Sequence, residues 1–317
     1  MRTLALVLLI LACLSPTFAV AEMPPHFILS WGSFGTAPGQ FRNPEGVALG
    51  PDGDVYVVDQ GNCRVQKFTP SGSFVLAWGS NGFGEGQFRY PLDIAVDRSG
   101  FVYVLDTDNA RIQKFDSEGT FIRQWGSMGT GDGQFGTGAG AIEVSSAGIV
   151  YVADEGMGRI QSFTTNGTFL TKWASINPTG LAIGADGTVY VSQGAGNPPI
   201  LKYDASGTFL SQWGVIGSAP DQVNGPLGLG IDGSGNIYVA DHLNNRIQKF
   251  TDTGIWLTGW GSIGSGFGEF MAPGDVAIGS DYSVYVVDVE NARIQKFGDQ
   301  PVPATVTTWG RIKAERR

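Results

Sequence analysis

Five aspartates recur in one motif, Tyr-Val-x-Asp, at Asp59, Asp106, Asp154, Asp241 and Asp288. Five residues after each stands an arginine: Arg64, Arg111, Arg159, Arg246 and Arg293. Repeated carboxylates are the raw material of a cation site. The fixed offset favours another chemistry, because across a tight turn it brings carboxylate and guanidinium together as a charge-assisted pair. The fourth copy separates the two readings: Gln193 replaces the aspartate and Pro199 stands where the arginine belongs. Loss of both together is what a structural pair predicts.

A second set of carboxylates breaks a small-residue rule. Two residues after a recurring loop proline the copies read Gly46, Asp93, Ala141, Gly180, Gly228 and Asp275; two further on they read Ala48, Ala95, Glu143, Ala182, Gly230 and Ala277. Asp93, Glu143 and Asp275 are therefore the candidate metal ligands, and hard oxygen donors converging on one axis suit Ca²⁺. No other cofactor is expected. The chain has two histidines, His26 and His242, too few for a three-His catalytic zinc site. His242 follows Asp241 and alternates with it, so it should point to solvent or a neighbouring loop. The glycine-rich run Gly82-Phe83-Gly84-Glu85-Gly86 lacks both a following helix and a Gly-Lys-Ser/Thr, so it is no phosphate loop.

The elements that must position these residues repeat along the chain. Tryptophans at 31, 78, 125, 173, 213 and 260 step by 47, 47, 48, 40 and 47 residues. Within one unit, short alternating runs rich in Val, Ile, Tyr and Phe are bounded by Gly, Asp, Pro and Ser, which specifies strands. In the first unit these are strand a at Val47 to Leu49, b at Val55 to Val58, c at Arg64 to Phe68 and d at Phe74 to Trp78. Four antiparallel strands per 40 to 48 residues is a propeller blade, so the chain is predicted to be an all-β, six-bladed propeller. The sixth unit lacks a regular fourth strand, and Phe27 to Trp31 matches Phe74 to Trp78 in spacing and type, so the N-terminal segment should close the ring. A rival at Val306 to Trp309 fits less well: it sets 12 residues after Phe297 where the five other units use 10.

The order Gly-x-Phe-x-x-Pro, Tyr-Val-x-Asp, Asn-x-Arg-Ile-Gln-x-Phe and Gly-x-Phe-x-x-x-Trp-Gly, carried over residues 27 to 297, resembles the NHL-repeat family of six-bladed propellers. The resemblance implies a fold that hosts binding modules and enzymes alike. Its amidating lyases are expected to hold a channel zinc through several histidines, which this chain does not have. The streptogramin-lyase type is expected to use a histidine base, for which His242 is the candidate.

The copies differ most in the fourth. Trp to Pro takes 13 residues at Trp31, Trp78, Trp213 and Trp260 but five at Trp173, and the turn Gln193 to Pro199 is one residue longer than its counterparts and uncharged. A shortened wall should open the rim there, with Gln193, Asn197, His242, Phe83 and Tyr90 as candidate binding residues, and Phe34 and Phe267 beside them. Phe41, Phe88, Phe135 and Phe270 recur at a fixed position and read as packing anchors.

The whole chain has 317 residues, 48 of them glycine, with 15% charged residues and a formal net charge of −9. So acidic a chain, with no basic patch outside its last seven residues, is not built to neutralise nucleic-acid phosphates. Residues 1–21 read as an export signal, with Arg2, an apolar run from Leu4 to Leu14 too short to span a bilayer, and Ala19-Val20-Ala21. An extracytoplasmic protein with no transmembrane segment is expected, and Cys13 offers an alternative lipoprotein anchor. Cleavage would leave Cys63 as the sole cysteine, so no internal disulfide contributes. The predicted organisation is a signal peptide (1–21), a propeller (22–300) and a tail (301–317). The expected function is a non-catalytic scaffold that binds a protein, peptide or glycan on its upper face. The alternative is a lyase or lactonase dependent on a channel cation.

Overall fold

The computed structural model describes residues 22–298. The expected signal segment, Cys13 and the tail lie outside the described residues. Six four-stranded antiparallel sheets account for nearly all the regular structure, and no helix among the described residues is long and apolar enough to cross a membrane. Blade 1 runs Pro44–Leu49, Val55–Asp59, Arg64–Phe68 and Phe74–Trp78. The other inner strands are Pro91–Val96, Ala139–Val144, Pro178–Ile183, Pro226–Ile231 and Pro273–Ile278. Each inner strand starts about three residues earlier than its apolar run suggests, with a bulge between the first residue and the regular pairing. That bulge carries the backbone around the channel rim.

Ring closure falls to the N-terminal strand, His26–Trp31, which pairs antiparallel with Arg293–Gly298, Phe27 opposite Phe297 and Trp31 opposite Ile294. Blade 6 thereby covers an edge that would otherwise stay open to pairing with another chain.

The core is not central. Six apolar clusters each lie between two neighbouring blades, and the seam between blades 6 and 1 is filled like the rest, by Phe41, Val47, Val57, Phe68, Tyr285, Val287 and Ile294. Every strand-d tryptophan reaches the strand-c ring of the next blade: Trp31 to Phe68, Trp78 to Phe115, Trp173 to Tyr203 and Trp260 to Phe297 at 5.7 Å each. This contact explains the glycine that precedes strand d in blades 1 to 5, Gly72, Gly119, Gly167, Gly207 and Gly254. Gly72 sits at φ +79° against the Trp31 ring, where a Cβ would stand 2.8 Å from the indole, so both its conformation and its lack of side chain are required.

Candidate binding face and central channel

The Asp–Arg motif builds the upper face, where strands b end and strands c begin. All five aspartates are fully buried. In blade 2, Asp106 accepts a bond from Arg111 Nε at 2.7 Å, from Gln113 Nε2 at 3.1 Å, from Asn109 Nδ2 at 2.8 Å and from the Arg89 backbone N–H at 2.7 Å. The guanidinium then donates to the carbonyls of Phe83, Gly84 and Gln87 in the long entry loop. Blades 1, 5 and 6 repeat the arrangement and blade 3 repeats it without the asparagine, Met157 standing in its place, with Nε to carboxylate at 2.7, 2.8, 2.6 and 2.6 Å for Arg64–Asp59, Arg159–Asp154, Arg246–Asp241 and Arg293–Asp288. Charge, buried amide and buried guanidinium are all satisfied by the entry loop, which itself carries no more than a short parallel bridge or strand pair. The unit is therefore more than a pair: it is a clamp that pins the entry loop to the blade.

That geometry explains blade 4. Its entry loop is only Trp173 to Pro178, which leaves nothing for an arginine to hold. Gln193 and Pro199 replace the charges and Leu201 replaces the glutamine, so the whole clamp is lost with the loop. Gln193 is buried, its Nε2 donating at 2.9 Å to the Pro198 carbonyl to close its own turn. It therefore differs from the rim residue expected of it, whereas Asn197 in the same turn is exposed. Phe83 and Tyr90 are exposed as well. Phe267 stacks on Phe27 of the closing strand at 4.5 Å and belongs to the latch. His242 is half-buried, with Nδ1 3.2 Å from the Pro273 carbonyl of the next blade. The four recurring phenylalanines, Phe41, Phe88, Phe135 and Phe270, are fully buried under the entry loops.

Asp93, Glu143 and Asp275 all line the central channel, a cavity of ≈ 300 Å³. Its lower end is apolar, where Leu49, Val96, Ile183, Ile231 and Ile278 end five inner strands. Asp93 accepts from its own neighbour Ile94 N–H at 2.8 Å and, across the blade boundary, from Ile142 N–H at 2.8 Å. Asp275 does the same with Val276 at 2.8 Å and Val47 at 2.9 Å, joining blade 6 to blade 1. Room for each carboxylate comes from the preceding blade: a Cβ on Gly46 would collide with Asp93, and one on Gly228 with Asp275. Between blades 4 and 5, hydroxyls take the same role, Thr179 Oγ1 donating to the Pro226 carbonyl at 2.9 Å and Ser192 Oγ to the Leu227 carbonyl at 2.6 Å. Polar clasps thus join every second boundary around the ring.

Among the described residues no group of three or more His, Cys, Asp or Glu side chains is gathered so as to hold a metal ion. Asp93, Glu143 and Asp275 share a wall without sharing a coordination point, and backbone amides occupy both oxygens of each aspartate. Burial is the main reason these carboxyls resist ionisation. It pushes Glu143 up to about 7, and Asp275 up to about 6 against the pull of its two amide donors. Asp93 is raised well above the usual carboxylate range, first by burial and then by the charge of Asp275. A fourth carboxyl, Glu45, joins them and is pushed up to about 7 by burial and by Asp275. Sequence reasoning missed it, although a signal existed: it follows Pro44 where the other copies carry Leu92, Gly140, Thr179, Leu227 and Gly274.

A ring of six such blades with one repeated clamp defines a class, and three stretches, residues 41–68, 88–115 and 223–250, match the NHL repeat. Each runs from the entry-loop anchor to the end of strand c in blades 1, 2 and 5. The chain is a six-bladed β-propeller that carries NHL repeats. No curated protein sequence matches it. Among solved structures it is similar to a streptogramin B lyase, at 15% identity and TM-score 0.60 over 84% of this chain and 96% of that one. It is also similar to a gluconolactonase from Xanthomonas campestris, at 14% and 0.62 over 88% and 97%. A third likeness is to a protein of unknown function from Bacteroides thetaiotaomicron, at 15% and 0.66 over 85% and 76%. At these identities the likeness is one of fold.

Proposed function

We propose that this propeller is an exported, non-catalytic module that binds a protein, peptide or glycan on its upper face, with blade 4 giving the face its direction. The observation that carries this reading is the contrast between five clamped entry loops and one that is absent. The clamps fix a rigid rim, and rigidity lowers the ordering cost of binding. Missing wall at blade 4 leaves a gap in that rim, and exposed apolar side chains stand on the upper loops, among them Phe34, Phe83, Tyr90, Ile176, Leu243 and Ile263. Groups of this kind are where protein surfaces find partners. The test is to restore the blade 4 loop to 13 residues, with the full clamp, and compare capture of partners by the immobilised protein. Capture should fall at unchanged melting temperature; equal capture removes the reading.

A second reading, a channel lyase or lactonase, is favoured by the raised carboxyls. With Glu45 and Glu143 pushed up to about 7, each is partly protonated near neutrality and suited to general acid catalysis. Turnover of a streptogramin B or of gluconolactone, abolished in Glu143→Gln, would carry that reading; no turnover of either would remove it.

A further inference from the structure

On the upper face, blades 1 and 2 carry two exposed arginines that stand outside the clamps. The five motif arginines are consumed by their aspartates. Arg42 and Arg89 are not: both are exposed and neither forms an ion pair with a described carboxylate. Each instead lies over an exposed ring of its own entry loop, Arg42 Cζ 5.3 Å from the centre of Phe34 and Arg89 Cζ 4.9 Å from that of Phe83. Phe34, Phe83 and the adjacent Tyr90 are 72%, 70% and 52% exposed. The backbone under both arginines is fixed, because Arg42 N–H donates to Asp59 and Arg89 N–H to Asp106, each at 2.7 Å. The same N–H is supplied by Gly136, Asn224 and Met271 in blades 3, 5 and 6, and Ile176 holds the place in blade 4. In a ring of near-equivalent blades, only two neighbours present this pair.

We infer that Arg42 with Phe34, and Arg89 with Phe83 and Tyr90, form a two-blade docking surface for an acidic peptide segment of a protein partner, whose carboxylates meet the guanidiniums and whose apolar side chains cover the rings. The inference deepens the upper-face reading and rests on it. Charge complementarity names the occupant. A guanidinium that makes no ion pair with a described carboxylate, and already lies over an aromatic ring, is matched to bidentate recognition of a carboxylate. Arginine and tyrosine beside apolar surface are the side chains that concentrate binding energy between proteins. A chain of net charge −9 does not draw acidic partners by its overall field, so binding depends on these two side chains.

The experiment measures binding of a fluorescein-labelled random Glu/Tyr copolymer to the full chain by anisotropy, at low and moderate salt, with a Lys/Tyr copolymer and polygalacturonate in parallel. The Glu/Tyr copolymer should bind, weaken on raising the salt, and lose at least about tenfold in affinity in R42E/R89E, whose exposed positions leave melting unchanged. F34A/F83A should weaken it by several-fold. Binding unaltered in R42E/R89E, no binding by the native chain, or tighter binding of polygalacturonate would each overturn the inference. If the copolymer fails while blade 4 restoration still reduces partner capture, only this inference falls; if neither change has an effect, the upper-face reading falls with it.

Discussion

The carboxylate of Asp275 in blade 6 accepts the backbone N–H of Val47 in blade 1 at 2.9 Å, so the seam where the chain closes on itself is joined inside the channel as well as at the outer latch. Asp93 makes the equivalent bond to Ile142 at 2.8 Å between blades 2 and 3, where the chain is continuous. The comparison separates what a clasp does for packing from what it does for closure. Asp275→Ala leaves two amides without their acceptor, at about 1–3 kcal/mol for a buried unsatisfied group. We expect Asp275→Ala and Asp93→Ala to lower the denaturant midpoint by similar amounts, and Asp275→Ala alone to accelerate exchange of the amides in residues 26–31.

Channel carboxyls set the pH dependence. Folding raises the affinity of Glu45, Asp93, Glu143 and Asp275 for protons, so the native state binds more protons than the unfolded chain from the ordinary carboxylate range up to about 7. Stability then falls as pH rises through that window. The melting temperature should be several degrees higher at pH 5 than at pH 8, and the difference should shrink in Glu45→Gln/Glu143→Gln. A melting temperature independent of pH across this range would contradict it.

The clamp makes unequal demands around the ring. Asp106→Ala strands Arg111, which is 7% exposed, and removal of one partner from such a buried pair costs about 3–5 kcal/mol. Gln193→Ala, at the equivalent place in blade 4, loses one neutral bond at about 1 kcal/mol. Urea unfolding of the two variants should rank them in that order.

The latch depends on Trp31, whose ring contacts Phe68 at 5.7 Å and Tyr285 at 6.3 Å. Trp31→Ala should cost about 3 kcal/mol. It should also raise the tendency to associate, measured by light scattering, because a loosened closing strand exposes the edge of Arg293–Gly298.

Periodicity made the blades legible, since alternation and turn residues act locally. Blade count, strand order and closure by Phe27 to Trp31 follow from it. The correlated loss of Gln193 and Pro199 revealed a coupled pair, and the short loop at Trp173 stood in the same sequence. That one loss causes the other became visible only when Arg111 was seen donating to Phe83, Gly84 and Gln87, 24 to 28 residues away.

Sequence alone determined the repeat, and with it the architecture, because five of the six blades are each specified by residues within 50 positions of one another, and the N-terminal strand carries the same local pattern as the fourth strand that blade 6 lacks. The tertiary structure decided what the off-pattern residues do. Asp93 and Asp275 break the same local rule and invite the same metal reading, yet their partners Ile142 and Val47 lie 49 and 228 residues away. Only the closed ring sets those amides beside the carboxylates and buries four acids in one channel, and the solvation that shifts their protons is a property of that enclosure rather than of any stretch of chain.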